Sequence, residues 1–92
     1  MGYEYDPNKS ARNQQDKSRG FGFEHAQGFQ WESCVTLLKE RSEHDEIRYI
    51  SYGLIGVRLY VLVWTPRRGK IRIISLRKAN ERERKFYETQ KT

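Results

Sequence analysis

Three arginines, Arg48, Arg72 and Arg77, lie on or beside segments rich in β-branched and aromatic residues. A guanidinium is planar, always charged, and shaped to grip two phosphate oxygens at once. Burying one inside a strand is costly unless it is paired or kept for a ligand. RNA carries its own nucleophile, the 2′-hydroxyl. An enzyme that cuts it needs only to align that oxygen, stabilise charge on the phosphorane and move two protons. Arginines on a rigid sheet can do the first two. Glu83, Tyr87, His25 or Lys17 are available for the protons. For any single arginine, a salt bridge to a helix carboxylate or a solvated strand end explains it as well. The cluster carries more information than its members.

Other chemistries find less support. His25 and His44 match no metal-ligand spacing, and "HDE" at 44–46 reads as a solvated loop. Neither "GFG" at 20–22 nor "GLIG" at 53–56 is followed by the residues a phosphate loop needs. No metal and no cofactor is expected. The one cysteine, Cys34, excludes an internal disulfide and a four-cysteine zinc site. It reads as a packing residue in a reducing compartment.

A chain of 92 residues is expected to form one small domain spanning residues 1–92. Its content is 36% hydrophobic and 33% charged, with the apolar residues clustered, as a folded domain requires. The net charge is +6 and it is unevenly placed. Residues 67–92 hold ten Lys/Arg against three Asp/Glu, whereas residues 1–66 hold eight against nine. A basic final third is the footprint of a polyanion, either nucleic acid or an acidic protein. The opening "MGYEYDPNKS" lacks the apolar core of a signal peptide, and "LYVLVW" at 59–64 is too short to span a bilayer. A soluble, cytoplasmic protein without membrane contact is the expectation.

The elements that must hold the arginines follow from the patterning. "YEY" at 3–5 is a short strand candidate. Asp6 as N-cap and Pro7 as first helical residue start a polar helix running to about Lys17. "RGFGF" breaks it. "FEHAQGFQW" is a second short helix, with Phe23, Ala26 and either Phe29 or Gln30 on one face. Strands are expected at 33–40, 47–55, 57–66 and 70–78, with "GLIG" and "TPRRGK" as turns. "NERERKFYE" at 80–88 closes the chain as a helix, with Asn80 and Glu83 spaced as a capping box. The fold class is therefore α+β. An antiparallel sheet of about four to five strands is expected, with N-terminal helices and a C-terminal helix. In an ideal strand Arg72 and Arg77, five residues apart, point to opposite faces. To serve one phosphate, the strand must end or bulge before Arg77.

The chain also resembles a known family along nearly its whole length. "YEYDPNKSARN" resembles the [FW]-[ED]-[WF]-D-x-x-K-x-x-x-N opening of BrnT-type toxins of bacterial type II toxin–antitoxin systems. "FEHA" resembles their F-E-E-A, and "IRYISYGLIGVRLYVLVWT" their R-x-x-x-[LI]-G and following L-x-V-V-[YF]-T strand. "IRIISLRKANERERKFYE" is similar to their I-R-[IL]-I-S-A-R-x-A-[ST]-x-x-E-x-x-x-Y ending, the most specific part. The resemblance implies a RelE-like ribonuclease fold and RNA cleavage that inhibits translation, and the lack of a metal-ligand cluster makes metal-independent cleavage the expectation. The resemblance also implies a cognate BrnA-type antitoxin, bound in a higher-order hetero-oligomer. It implies phosphate and transition-state contacts for Arg48, Arg72 and Arg77, with Glu83 in the catalytic set. Lys17, Arg19, Arg58 and Tyr87 are the expected RNA contacts, Lys17 and Tyr87 at positions where the family has the same residue types.

One departure bears on mechanism. The family reads K-H-G after its first helix, and this chain reads "KSRG" at 17–20, one residue longer and without the histidine. Arg19 can replace it as a cation but not as a base, which leaves His25 as the histidine to test in its place. The competing reading is a non-catalytic basic module that binds nucleic acid or an acidic partner, with Tyr52, Tyr60 and Trp64 stacking bases.

Overall fold

Four strands follow one another in sequence, and each pairs antiparallel with its neighbour. They are β2 (Val35–Arg41), β3 (Ile47–Ile55), β4 (Arg58–Arg67) and β5 (Lys70–Lys78). Alternating β-branched and aromatic residues favour the pleated conformation. Two-residue turns fix two of the registers. In the β4–β5 turn Arg68 and Gly69 both have positive φ, 53° and 75°, which matches the right-handed twist of a hairpin. The structure, a computed structural model, describes residues 2–6, 22–41 and 46–91. The expected helix from Asp6 to Lys17 lies largely outside the described residues.

A fifth strand, β1 (Tyr3–Glu4), takes the outer edge of β5 and gives the sheet order β1-β5-β4-β3-β2. It runs parallel to β5, pairing Tyr3 with Ile71 and Glu4 with Arg72. The sheet is therefore mixed, which corrects the expectation of a purely antiparallel one. No hairpin joins β1 to β5, so no turn dictates its direction.

The second correction concerns the N-terminal helices. Among the described residues only two 3₁₀ helices precede the meander, at Phe23–Gly28 and Trp31–Ser33. Phe23, Ala26 and Phe29 recur every three residues and all are buried. A three-residue period suits a 3₁₀ turn rather than an α-helix. They pack with Tyr60, Leu62, Ile71, Ile73 and Leu76 on one face of the sheet. On the other face Leu59, Val61 and Ala79 pack with Ile50, Tyr52, Leu54 and Tyr87, the last from the closing helix α1 (Glu81–Lys91). That helix begins as its sequence predicts. Glu83 N–H donates to Asn80 Oδ1 at 2.8 Å, and Asn80 N–H to Glu83 Oε1 at 2.9 Å.

β5 contains a bulge. Val63 pairs with Ser75 but Trp64 pairs with Ile73, so Ile73 and Ile74 together occupy the space opposite Trp64. The buried positions accordingly run Ile71, Ile73 and then Leu76, a step of three residues where regular pleating takes two. The extra residue inverts the alternation beyond it.

Candidate nucleic-acid interface

The bulge decides where the strand arginines point. Arg72 pairs with Thr65 and Arg77 with Val61, and β4 pairs regularly with β3 through this stretch. Thr65 and Val61 are four residues apart on β4, so Arg72 and Arg77 share the sheet face that carries α1. Alternation along β3 adds Arg48 to that face, next to Thr65.

Arg48, Arg67 and Arg72, from three adjacent strands, line one open cleft of about 670 Å³ together with Asp6, Glu46 and Thr65. Carboxylates hold the forks. Arg72 Nη1 donates to Glu4 Oε1 at 2.9 Å, and Arg67 Nη1 lies 3.8 Å from the same oxygen. Arg48 Nε donates to Glu46 Oε1 at 3.4 Å. The side chains of Arg48, Arg67 and Arg72 are part-exposed, at 35%, 51% and 33%. The strand arginines are thus neither buried alone nor fully solvated. Each is tethered at a cleft wall and accessible to a polyanion.

Arg77 stands apart. Four residues of β4 separate its row from that of Arg72, about 13 Å of strand. It does not line the cleft. Its fork meets Glu83 with both oxygens, Nη1–Oε1 and Nη2–Oε2 each at 2.7 Å. The hydrogen bond from Arg77 holds the Glu83 carboxyl below the usual glutamate range, with the Asn80 N–H assisting against partial burial. The same bond raises Arg77 further. Tyr52, in the same cross-strand row, is pushed up by burial and by the Glu83 charge.

The other residues chosen from sequence scatter. Tyr87 O–H donates to the Ser33 carbonyl at 2.9 Å and packs in the core under α1, so it docks the helix. Arg58 opens β4 at the β3–β4 hairpin, exposed, and alternation sets it on the face of the 3₁₀ helices. His25 lies on that opposite face too, its ring 5.3 Å from Tyr60. Lys17 and Arg19 lie outside the described residues. Of the proposed base-stacking residues, Tyr60 is buried and Tyr52 packs on Phe86 at 5.1 Å. Trp64 donates its indole N–H to Ser51 Oγ at 2.8 Å and lines an aromatic cavity with Tyr3, Phe29 and Trp31. None of the three lines the arginine cleft.

Sequence reading missed Arg67, taken as part of a turn, and the carboxylates Glu4, Asp6 and Glu46. Arg67 and Arg72 do meet once the β4–β5 hairpin register is drawn, because the hairpin that pairs Arg67 with Lys70 places Thr65 opposite Arg72. Glu4 becomes legible only through the β1–β5 pairing. Among the described residues no three His, Cys, Asp or Glu side chains converge as a metal site, and no helix is long and apolar enough to cross a membrane.

The cleft and its arginines fall within the segment that carries the chain's relationships. No curated protein and no solved structure matches the chain. The model of the family described as "Ribonuclease toxin, BrnT, of type II toxin-antitoxin system" matches residues 5–83, and the chain belongs to that family.

Proposed function

We propose that the protein is an endoribonuclease whose RNA site is the cleft of Arg48, Arg67 and Arg72. The convergence of these three guanidiniums from β3, β4 and β5 on one open concavity carries this reading. Three fixed cations on a rigid sheet match a phosphodiester that gains charge as its 2′-oxygen attacks. In this reading the guanidiniums supply the positive charge, and cleavage proceeds without a metal ion. Arg77 and Glu83 anchor α1 beside the cleft, and Tyr87 docks the same helix. Lys17 and Arg19 are further RNA contacts in this reading, as is Arg58 from the opposite face of the sheet.

The wider role follows the family. A type II system implies a protein antitoxin as partner. We infer one of BrnA type, bound over the arginine face in a hetero-oligomer, within the cytoplasm. RNA cleavage then inhibits translation when the antitoxin is lost. The meander and closing helix support a RelE-like arrangement within a single toxin domain spanning residues 1–92.

Purified toxin, freed of its partner, is expected to cut single-stranded RNA in EDTA. The 5′ fragment is expected to end in a 2′,3′-cyclic phosphate. Cleavage that vanishes with chelator and returns with Mg²⁺ overturns the metal-free route. Equal cutting of a 2′-deoxy substrate overturns attack by the 2′-oxygen. Binding without any cutting favours a non-catalytic module.

A further inference from the structure

We propose that Glu46 is the proton acceptor of the arginine cleft and activates the 2′-hydroxyl. This rests on the ribonuclease reading of the same site. Cleavage needs a base within hydrogen-bond reach of that hydroxyl. Arg48, Arg67 and Arg72 are donors only, and the Thr65 hydroxyl is far too weak a base. His25, the candidate substitute for the family's histidine, is on the opposite face of the sheet. Among the described residues lining the cleft, the groups that can take up a proton are the carboxylates of Glu46 and Asp6; Glu4, held by Arg72 and Arg67, does not line it.

Geometry favours Glu46. It immediately precedes β3 and stands two residues before Arg48, so both side chains leave the same side of one extended run. Its Oε1 accepts from Arg48 Nε at 3.4 Å. In RNA the attacking 2′-oxygen belongs to the ribose adjoining the scissile phosphate. A base for it must therefore adjoin the guanidinium that holds the phosphate, and Glu46 does. Its side chain is 43% exposed, so the captured proton can return to water.

The step balances with residues and solvent alone. A bond forms between the 2′-oxygen and phosphorus as the bond from phosphorus to the 5′-oxygen breaks. The 2′-hydroxyl proton passes to the Glu46 carboxylate, and the departing 5′-oxygen takes a proton from water. The products are a 2′,3′-cyclic phosphate and a 5′-hydroxyl.

Among the described residues, the charged groups facing Glu46 in the cleft are Arg48 on β3, Arg67 on β4, Arg72 on β5 and Asp6 beyond β1, with Glu4 on β1 held by Arg67 and Arg72. The test compares full-length wild type, Glu46→Gln, Glu46→Asp and Asp6→Asn. Each is assayed for single-turnover cleavage of a mixed-sequence RNA oligonucleotide across acid pH, and for binding of its uncleavable 2′-O-methyl counterpart. Glu46→Gln is expected to cut about a hundredfold or more slowly, to lose the acid limb of the pH–rate profile, and to bind RNA within about twofold of wild type. Glu46→Asp is expected to keep the acid limb. A Glu46→Gln protein that binds poorly but retains the acid limb overturns the assignment and makes Glu46 a positioning partner of Arg48. Loss of the limb in Asp6→Asn alone also overturns it. Wild-type protein that binds RNA without cutting it overturns this inference and the ribonuclease reading together, whereas wild-type cleavage unchanged in Glu46→Gln overturns this inference only.

Discussion

Arg77 and Glu83 close a two-pronged ion pair across the junction of β5 and α1, with both oxygen–nitrogen distances at 2.7 Å. The same Glu83 Oε1 also accepts the Asn80 N–H at the helix start. One carboxylate therefore fixes the first turn of α1 and ties it to the sheet. Glu83→Gln keeps an acceptor for the cap but loses the pair. With Arg77 39% exposed and solvent-screened, the expected loss is roughly 1 kcal/mol, or about 4–8 °C in Tm by calorimetry. The pH dependence has a definite sign. Glu83 is held below the usual glutamate range, so its contribution is full above the unfolded value near 4.3 and is lost as pH falls through the folded value. The wild-type advantage over Glu83→Gln is expected to shrink below about pH 4. Arg77 stays charged throughout and adds no slope there.

Arg72 and Arg77 share a face but meet different partners: Arg72 lines the cleft beside Glu4, and Arg77 pairs with Glu83. Arg72→Ala is expected to slow RNA cleavage about a hundredfold, the effect of one lost transition-state contact, while costing no more than about 1 kcal/mol of stability. Arg77→Ala is expected to do the reverse, lowering Tm because it strands the Glu83 carboxylate while the cleft stays intact. Thermal melts and single-turnover rates on both variants check the pattern. An Arg77→Ala protein with wild-type Tm and no activity refutes the anchoring role.

RNA affinity is expected to depend on salt through the cleft arginines. Three phosphate contacts to a single strand give a slope of about −2 in log affinity against log salt. Arg67→Ala is expected to reduce that slope by about 0.7. Fluorescence anisotropy with a 2′-O-methyl oligonucleotide reads both. A slope near zero in wild type rules out the cleft as the phosphate site.

Gly53 sits on β3 directly under the Phe29 ring. A Cβ there would lie 2.8 Å from Phe29 Cε2 and 2.9 Å from Cε1. That is closer than packed carbons approach, and Phe29 is itself 5% exposed, with little room to withdraw. Gly53→Ala is expected to cost about 1–3 kcal/mol by chemical denaturation. An unchanged denaturation midpoint shows that the 3₁₀ segment does not pack there.

Local elements are written in neighbouring residues. Period-two runs of Val, Ile, Leu and aromatics specify β3 and β5 to their observed ends, and Asn80 with Glu83 specifies the start of α1. These are short-range effects of pleat, turn and cap, so the chain encodes them without reference to distant partners. The basic final third, and arginines on strands, were legible for the same reason. Sidedness was not. Whether Arg72 and Arg77 share a face depends on one extra residue at Ile73–Ile74, and that bulge exists only against β4. The pairing of β1 with β5 joins residues nearly seventy positions apart, and it alone brings Glu4 to Arg72 and Arg67. Because side chains alternate strictly, a shift of one residue moves every group to the opposite face. Cross-strand register therefore decided which charged groups meet in the cleft and that Arg77 lies outside it, paired with Glu83, while the packing of the 3₁₀ helix on the opposite face keeps His25 away.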